Sequence, residues 1–322
     1  MMEFPENQSA RPAVDIRSLS VDYGDLVAVS DLTLSIPQGE VCGFLGPHGA
    51  GKTSIFKVIG GLMKPRQGEV LIDGGDILGD AERIVRVTAY LPDLVPMPSN
   101  LKVGEYLETR ASGLVTEKSS EPLERVPACL ENTGLAQLRE TCCNTLSRGQ
   151  WQRVLIAENL LRDPRILMLD ELASGLDAHA REEMSLVLNR IAQSGITVLV
   201  SSSVLEEIAD MCTSLCVMKH GKLLTFGTLA EVREALESNK RTITVTLLSR
   251  LEEAAVWLGA RAVVSDLTIK GNQLIFSFTG SEDAQADLLE GMVDLGMRIR
   301  TYEEKASRNA TSRRITEIDR IQ

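Results

Sequence analysis

The chain has 322 residues, a formal charge of −11, and is 43% hydrophobic and 25% charged. That length suits one large domain with a smaller one, and the acidic balance argues against a nucleic-acid surface, which needs a basic stripe along the phosphates. No apolar run approaches the roughly 20 residues of a membrane span, so the chain is expected to be soluble.

Residues 1–13 begin with the polar Met1–Pro12, unlike a secretory leader, and are expected to lack structure. Strands and helices should alternate over about 14–92 and 163–234 around a mainly parallel sheet. Val41–Leu45 is an apolar strand. Gly46-Pro47-His48-Gly49-Ala50-Gly51-Lys52-Thr53 follows it, fits G-x-x-x-x-G-K-[ST], and runs into a helix that includes Ser54. Glycines there let backbone N–H groups converge on an anion, and the helix N-terminus adds its dipole. The loop is therefore read as a phosphate cradle. Lys52 would reach the β- and γ-phosphates of a nucleotide, and the Thr53 hydroxyl would ligate Mg²⁺.

Residues 93–162 read as a helical insert. Val103–Ala111, Val126–Asn132 and Arg148–Leu161 carry helical spacing. Asp93–Asn100, with Pro92 before it and Pro96 and Pro98 inside it, makes a flexible joint. Leu146-Ser147-Arg148-Gly149-Gln150 leads into the third helix, with Ser147 as its N-cap. Ile166–Leu169 is a buried parallel strand whose carboxyl end carries Asp170 and Glu171. Asp170 is placed to hold the Mg²⁺ shell, and Glu171 to orient or deprotonate the attacking water. Ser174-Gly175-Leu176-Asp177 comes next, and the β-branched run from Ile196 ends in Ser201-Ser202-Ser203.

Beyond the charged stretch Glu234–Arg241 the pattern changes. Thr242–Leu248 alternates as a strand and Leu251–Leu258 is helical. Asp266–Ile269 and Gln273–Phe278 flank a Gly271-Asn272 turn, Glu282–Leu295 is helical, and Met297–Tyr302 is strand-like. The β-α-β-β-α-β order predicts a small split-βαβ domain over 241–304. It carries no chemical motif, which favours a structural or partner-contacting role. The polar tail 305–322 should fray. Six cysteines form no C-x-x-C pair or Cys/His spacing, so reduced thiols are expected. His179 and His220 fall in turn-like, solvated contexts.

The ordered motif set resembles the ATP-binding cassette (ABC) ATPase family, from about Val14 to about Glu234. The resemblance implies an α/β P-loop fold of ABC type over 14–236, with a mainly parallel sheet core, an antiparallel edge sheet and the helical insert, followed here by a small α+β domain. It identifies Leu146–Gln150 as the signature sequence. Ser147, Arg148, Gly149 and Gln150 would then meet ATP held by the glycine loop of a second nucleotide-binding domain, with Ser147 and Gly149 capping its γ-phosphate. Two domains would close head to tail, as a homodimer or a heterodimer. Tyr23 falls where the family stacks an aromatic on adenine, a sensible contact for a flat base, and Asp177 ends the segment that crosses the interface.

Asp93 stands where the family has a Gln that contacts Mg²⁺ and the attacking water. Ser203 stands where it has a His on the γ-phosphate; a hydroxyl carries no charge and reaches less far. Leu172-Ala173 replaces the usual Pro-Thr. The implied function is the ATP-binding, ATP-hydrolysing subunit of an export-type ABC transporter. It would be cytoplasmic and held on the membrane by a separate transmembrane permease subunit, onto which the helical insert docks. Asp93 and Ser203 leave an alternative: a nucleotide-gated regulatory subunit with weak or no ATPase activity. Relatives that act on ribosomes or DNA carry two cassettes or a long coiled coil, and this chain has neither.

Overall fold

The computed structural model describes residues 11–115, 121–238, 240–259, 261, 263–279 and 282–306. They form two compact units divided between Val232 and Arg233.

The first unit is built on two sheets. The larger has the strand order Lys222–Gly227, Ser214–Lys219, Val41–Leu45, Thr197–Ser202, Ile166–Leu169, Thr88–Leu91. Every pairing in it is parallel except that of Lys222–Gly227 with Ser214–Lys219. Val41–Leu45, Ile166–Leu169 and Thr197–Ser202 are buried at every residue, as strands covered on both faces must be. The parallel register decides where the chemistry lands. Leu45 pairs with Ser202, and Leu169 pairs with both Val200 and Leu91. Gly46 and Asp170 therefore emerge at the same carboxyl edge, where open α/β sheets bind ligands. Backbone bonds continue that register one step further, from Gly46 N to Ser202 O (3.2 Å) and from Asp170 N to Leu91 O (2.9 Å).

The second sheet of this unit is antiparallel, in the order Leu26–Ile36, Val14–Tyr23, Gln67–Ile72, Gly75–Asp76. Its inward residues, among them Ile16, Leu19 and Ile36, share one core with Phe44, Ile55 and Phe56. Phe44 and Phe56 meet edge to face at 5.2 Å, which fastens the helix Lys52–Ile59 behind the glycine loop. The start of the chain joins this sheet sooner than its polarity predicts. Ala13 is buried, donates to Ile36 O at 2.8 Å and accepts from Asp73 N at 3.1 Å, because its backbone extends the strand ladder. Residues 1–10 lie outside the described residues.

The insert consists of Val103–Ser112, Glu121–Asn132 and Arg148–Leu160. The second helix begins five residues before the predicted Val126, with Pro127 inside it. Trp151 packs edge to face on Tyr106 at 5.3 Å and donates its indole N–H to Val95 O at 3.1 Å, tying down the proline-containing joint.

The second unit has one antiparallel sheet in the order Val264–Lys270, Gln273–Thr279, Lys240–Leu247, Ile299–Ala306, with helices Leu251–Gly259 and Glu282–Asp294. The chain order is β-α-β-β-α-β. Alternation turns Ile243, Val245 and Leu247 to one face, where they pack with Phe276, Phe278, Leu258 and Met292. The polar tail beyond Ala306 lies outside the described residues. Among the described residues no helix is long and apolar enough to cross a membrane. All six cysteines are free, and burial pushes the Cys42 thiol up to about 12, so it stays an unreactive thiol within the sheet.

Candidate functional site

The glycine loop turns out of the buried strand Val41–Leu45 and into Lys52–Ile59. Two of its glycines are forced by packing. A Cβ on Gly46 would strike the Met218 carbonyl oxygen, and one on Gly51 would stand 2.5 Å from Ala28 O, where the backbone also has φ +102. A side chain at either position would push the loop off the strands behind it. Its Lys52 side chain is 4% exposed. The ammonium donates to Gly46 O at 2.6 Å and Pro47 O at 3.3 Å, and lies 3.4 Å from Glu171 Oε1.

Asp170 is 6% exposed and receives three hydroxyls. Thr53 Oγ1 donates to Oδ2 at 2.9 Å, Tyr90 OH donates to Oδ2 at 3.1 Å, and Ser201 Oγ donates to Oδ1 at 2.5 Å. Burial, and then the Asp170 charge, drive the Tyr90 phenol well above its ordinary range, so Tyr90 remains a donor. Hard oxygen ligands on a fixed carboxylate and a neighbouring hydroxyl suit Mg²⁺. Thr53 and Asp170 fit that cation.

Glu171 carries a left-handed φ of +48, a strained value for a glutamate. Its N–H donates to Ser201 Oγ at 2.8 Å, so one hydroxyl fixes both acidic residues. Neither Ser201 nor Tyr90 is visible as a site residue from sequence. The signal was the parallel register, which sets Asp170 beside the serine that follows Val200. Ser201→Ala removes a buried donor and acceptor together, a change that costs about 1–3 kcal/mol. We expect a lower Tm and a kcat reduced on the order of tenfold or more, with nucleotide affinity held. Turnover and calorimetry on the same preparation check this; a parental kcat would show that Ser201 only packs.

A cavity of about 200 Å³ is lined by Tyr23, Leu26, His48, Lys52, Thr53 and Glu171, among others. Tyr23 stands at its mouth, 45% exposed, beside the exposed Leu26 and Val27. Its hydroxyl accepts from Ser54 Oγ at 3.4 Å. Gly49 and Ala50 also line the cavity. The arrangement offers an apolar-aromatic shelf at one end and a cationic, N–H-lined loop at the other.

The signature segment forms a separate group. Ser147 caps Arg148–Leu160 through a capping box, accepting from Gln150 N at 3.2 Å and donating from its own N to Gln150 Oε1 at 2.9 Å. Gly149 is buried against Ala180, which a Cβ would approach to 3.1 Å. Asp177 caps Ala178–Gln193, accepting from Ala180 N at 2.8 Å. None of Ser147, Arg148, Gly149 or Gln150 lines the cavity, and neither do Asp93 and Ser203. Asp93 is half-exposed and pairs with Arg148 at 3.6 Å. Next to the half-buried Ser203, Ser202 donates to Glu207 Oε2 at 2.8 Å.

Residues 29–174 match the family model described as ABC transporter. The chain is similar to the SkfA peptide export ATP-binding protein SkfE of Bacillus subtilis, at 31% identity over 71% of this chain and 95% of that one. It is similar to the uncharacterized ABC transporter ATP-binding protein YxlF of the same organism, at 29% identity over 91% and 95%. It spans only 38% of the length of YbhF, a probable multidrug ABC transporter ATP-binding protein of Escherichia coli, matching at 30% identity over 69% of this chain. Among solved structures, cbiO1 of Clostridium perfringens, part of the ABC transporter complex cbiONQ, superposes with a TM-score of 0.63. It is 26% identical over 70% of this chain and 91% of that one.

Proposed function

The chain belongs to the ABC transporter family, and from that premise we propose that it is the ATP-binding subunit of an ABC transporter. It binds and hydrolyses MgATP at a head-to-tail dimer interface and drives transport through a separate membrane subunit. The observation that carries this reading is the convergence of the phosphate loop and the acidic pair: Thr53 lies 2.9 Å from Asp170, and Lys52 3.4 Å from Glu171. In this reading Tyr23 stacks on the base, the N–H groups of Gly49–Thr53 hold the phosphates, and Lys52 neutralises them. Bound Mg²⁺, held by Thr53 and Asp170, would draw charge from the phosphate oxygens. Glu171 orients the attacking water and takes its proton. Ser147, Gly149 and Gln150 present a helix N-terminus to the opposing nucleotide, and Asp177 holds the segment beside it.

The absence of a membrane-spanning helix among the described residues fits a subunit held at the cytoplasmic face by its partner. The likeness to SkfE, a peptide export ATP-binding protein, favours export. The small C-terminal unit fits a structural or partner-contacting role.

A second reading, a nucleotide-gated regulatory subunit, is favoured by Asp93 and Ser203 standing where the family has its Gln and His. Positioning contacts of the kind that Gln and His make in the family are worth about 10²–10⁴ in rate. On this second reading turnover is slow, and Asp93→Gln combined with Ser203→His should raise kcat more than it changes KM. Steady-state ATPase of the parent, both single variants and the double variant at saturating MgATP decides it. A fast parent with an unimproved double variant sinks the expectation. ATP binding with no turnover in any of them leaves the regulatory reading.

A further inference from the structure

Arg148 is the one cation between Ser147 and Gln150, and three segments meet on it. Its Nη2 lies 3.6 Å from Asp93 Oδ1. Its Nη1 passes Gly175, where a Cβ would stand only 3.0 Å away. Gly175 also has φ +72, a backbone conformation that by itself calls for glycine. The joint after Thr88–Leu91, the start of the signature helix and the Ser174–Asp177 turn thus share one guanidinium. The ion pair is 46% and 44% exposed. Pairs so exposed are worth about 0–1 kcal/mol, enough to orient an arginine and too little to lock it.

We propose that Arg148 is a transferable catalytic cation: Asp93 parks it in the single cassette, and on closure it passes to the γ-phosphate of ATP held by the opposing cassette. The inference rests on the head-to-tail closure proposed above. Arg148 is the first residue of the helix whose cap, Ser147, faces that phosphate in the closed pair, so its side chain starts one residue from the target. A terminal phosphate carries more charge than a single carboxylate and offers several oxygens to a planar, bidentate donor. Closure also removes water, which strengthens the attraction further. Phosphate therefore wins the competition for Arg148 only when the second cassette arrives. The two unusual positions gain a common account: Asp93 is the counter-charge of Arg148, and Arg148 supplies the positive charge that Ser203 lacks. In the reaction water forms the new bond to the γ-phosphorus, Glu171 takes its proton, and the bond to the leaving diphosphate breaks. Arg148 neutralises the charge on the equatorial oxygens and makes no covalent bond.

Arg148→Ala of the full chain should lose on the order of 10²–10³ in kcat with its own affinity for MgATP unchanged, and Arg148→Lys should recover part of the loss. The decisive measurement mixes Arg148→Ala chains with Glu171→Gln chains before MgATP is added. Each chain alone is nearly inactive. A mixed dimer holds one site with Glu171 from one chain and Arg148 from the other, so turnover should rise well above the sum of the separate chains. Parental turnover in Arg148→Ala overturns the proposal. So does a mixture that stays silent while Glu171→Gln dimerises with ATP, since Arg148 would then act within its own chain. If Glu171→Gln forms no dimer, the closure reading itself falls, and the transfer with it.

Discussion

Lys52→Ala should abolish tight ATP binding. The ammonium is almost wholly buried, and its neighbours are the carbonyl oxygens of Gly46 and Pro47 and the carboxylate of Glu171. It is the only side-chain cation lining the cavity among the described residues. The backbone N–H groups and the helix dipole remain in the variant, but they contribute partial charges only. Removing one partner of a buried charge interaction costs about 3–5 kcal/mol, because the other partner is left unpaired. At 1.4 kcal/mol per decade, affinity should fall by roughly 10² to 4 × 10³. Glu171 also loses its ion-pair partner, which adds an uncompensated negative charge beside the phosphates. Calorimetric titration with MgATP, with a melting curve to confirm the fold, reads the effect. Retained affinity in a folded variant would overturn the assignment of the loop.

The parts of this site that are contiguous in the chain are legible in the sequence. The glycine loop lies between an apolar strand and a helix, and Asp170-Glu171 terminates another apolar strand; both are local patterns. The β-α-β-β-α-β order of the C-terminal unit was legible for the same reason, since period-2 alternation and the Gly271-Asn272 turn are local. What escaped depends on pairing across distance. Ser201 reaches Asp170 and Glu171 only because Leu169 pairs with Val200, a register set by packing of the whole sheet. Tyr90 sits on the next strand for the same reason. Asp93 and Arg148 are 55 residues apart, and only the way the joint folds back on the signature helix sets them together. The helix Ala81–Val87 did carry a readable start, with Asp80 accepting from Arg83 N at 2.9 Å, yet only Ile84 is buried, too little apolar pattern to mark it.

Glu171→Gln should stop hydrolysis while leaving ATP bound, and should hold two chains together. The substitution keeps the size and shape of the side chain, so the cavity that Glu171 helps line is preserved. Its backbone restraint is preserved as well, because the N–H bond to Ser201 Oγ does not involve the carboxylate. What disappears is a basic oxygen able to take a proton from water, a loss of about 10²–10⁴ for a general base. Ground-state binding should move in the opposite direction. Lys52 keeps the Gly46 and Pro47 carbonyls, is released from its 3.4 Å pairing with Glu171, and is freer to serve the phosphates. The repulsion between a carboxylate and the γ-phosphate is removed at the same time. With binding intact and the exit through hydrolysis closed, the ATP-bound pair should accumulate, visible as a dimer by light scattering on MgATP addition and absent with MgADP. A variant that stays monomeric and turns over at the parental rate would remove Glu171 from the reaction. The water would then be activated from outside the Asp170–Ser201 scaffold, leaving the strained backbone of Glu171 with no catalytic purpose.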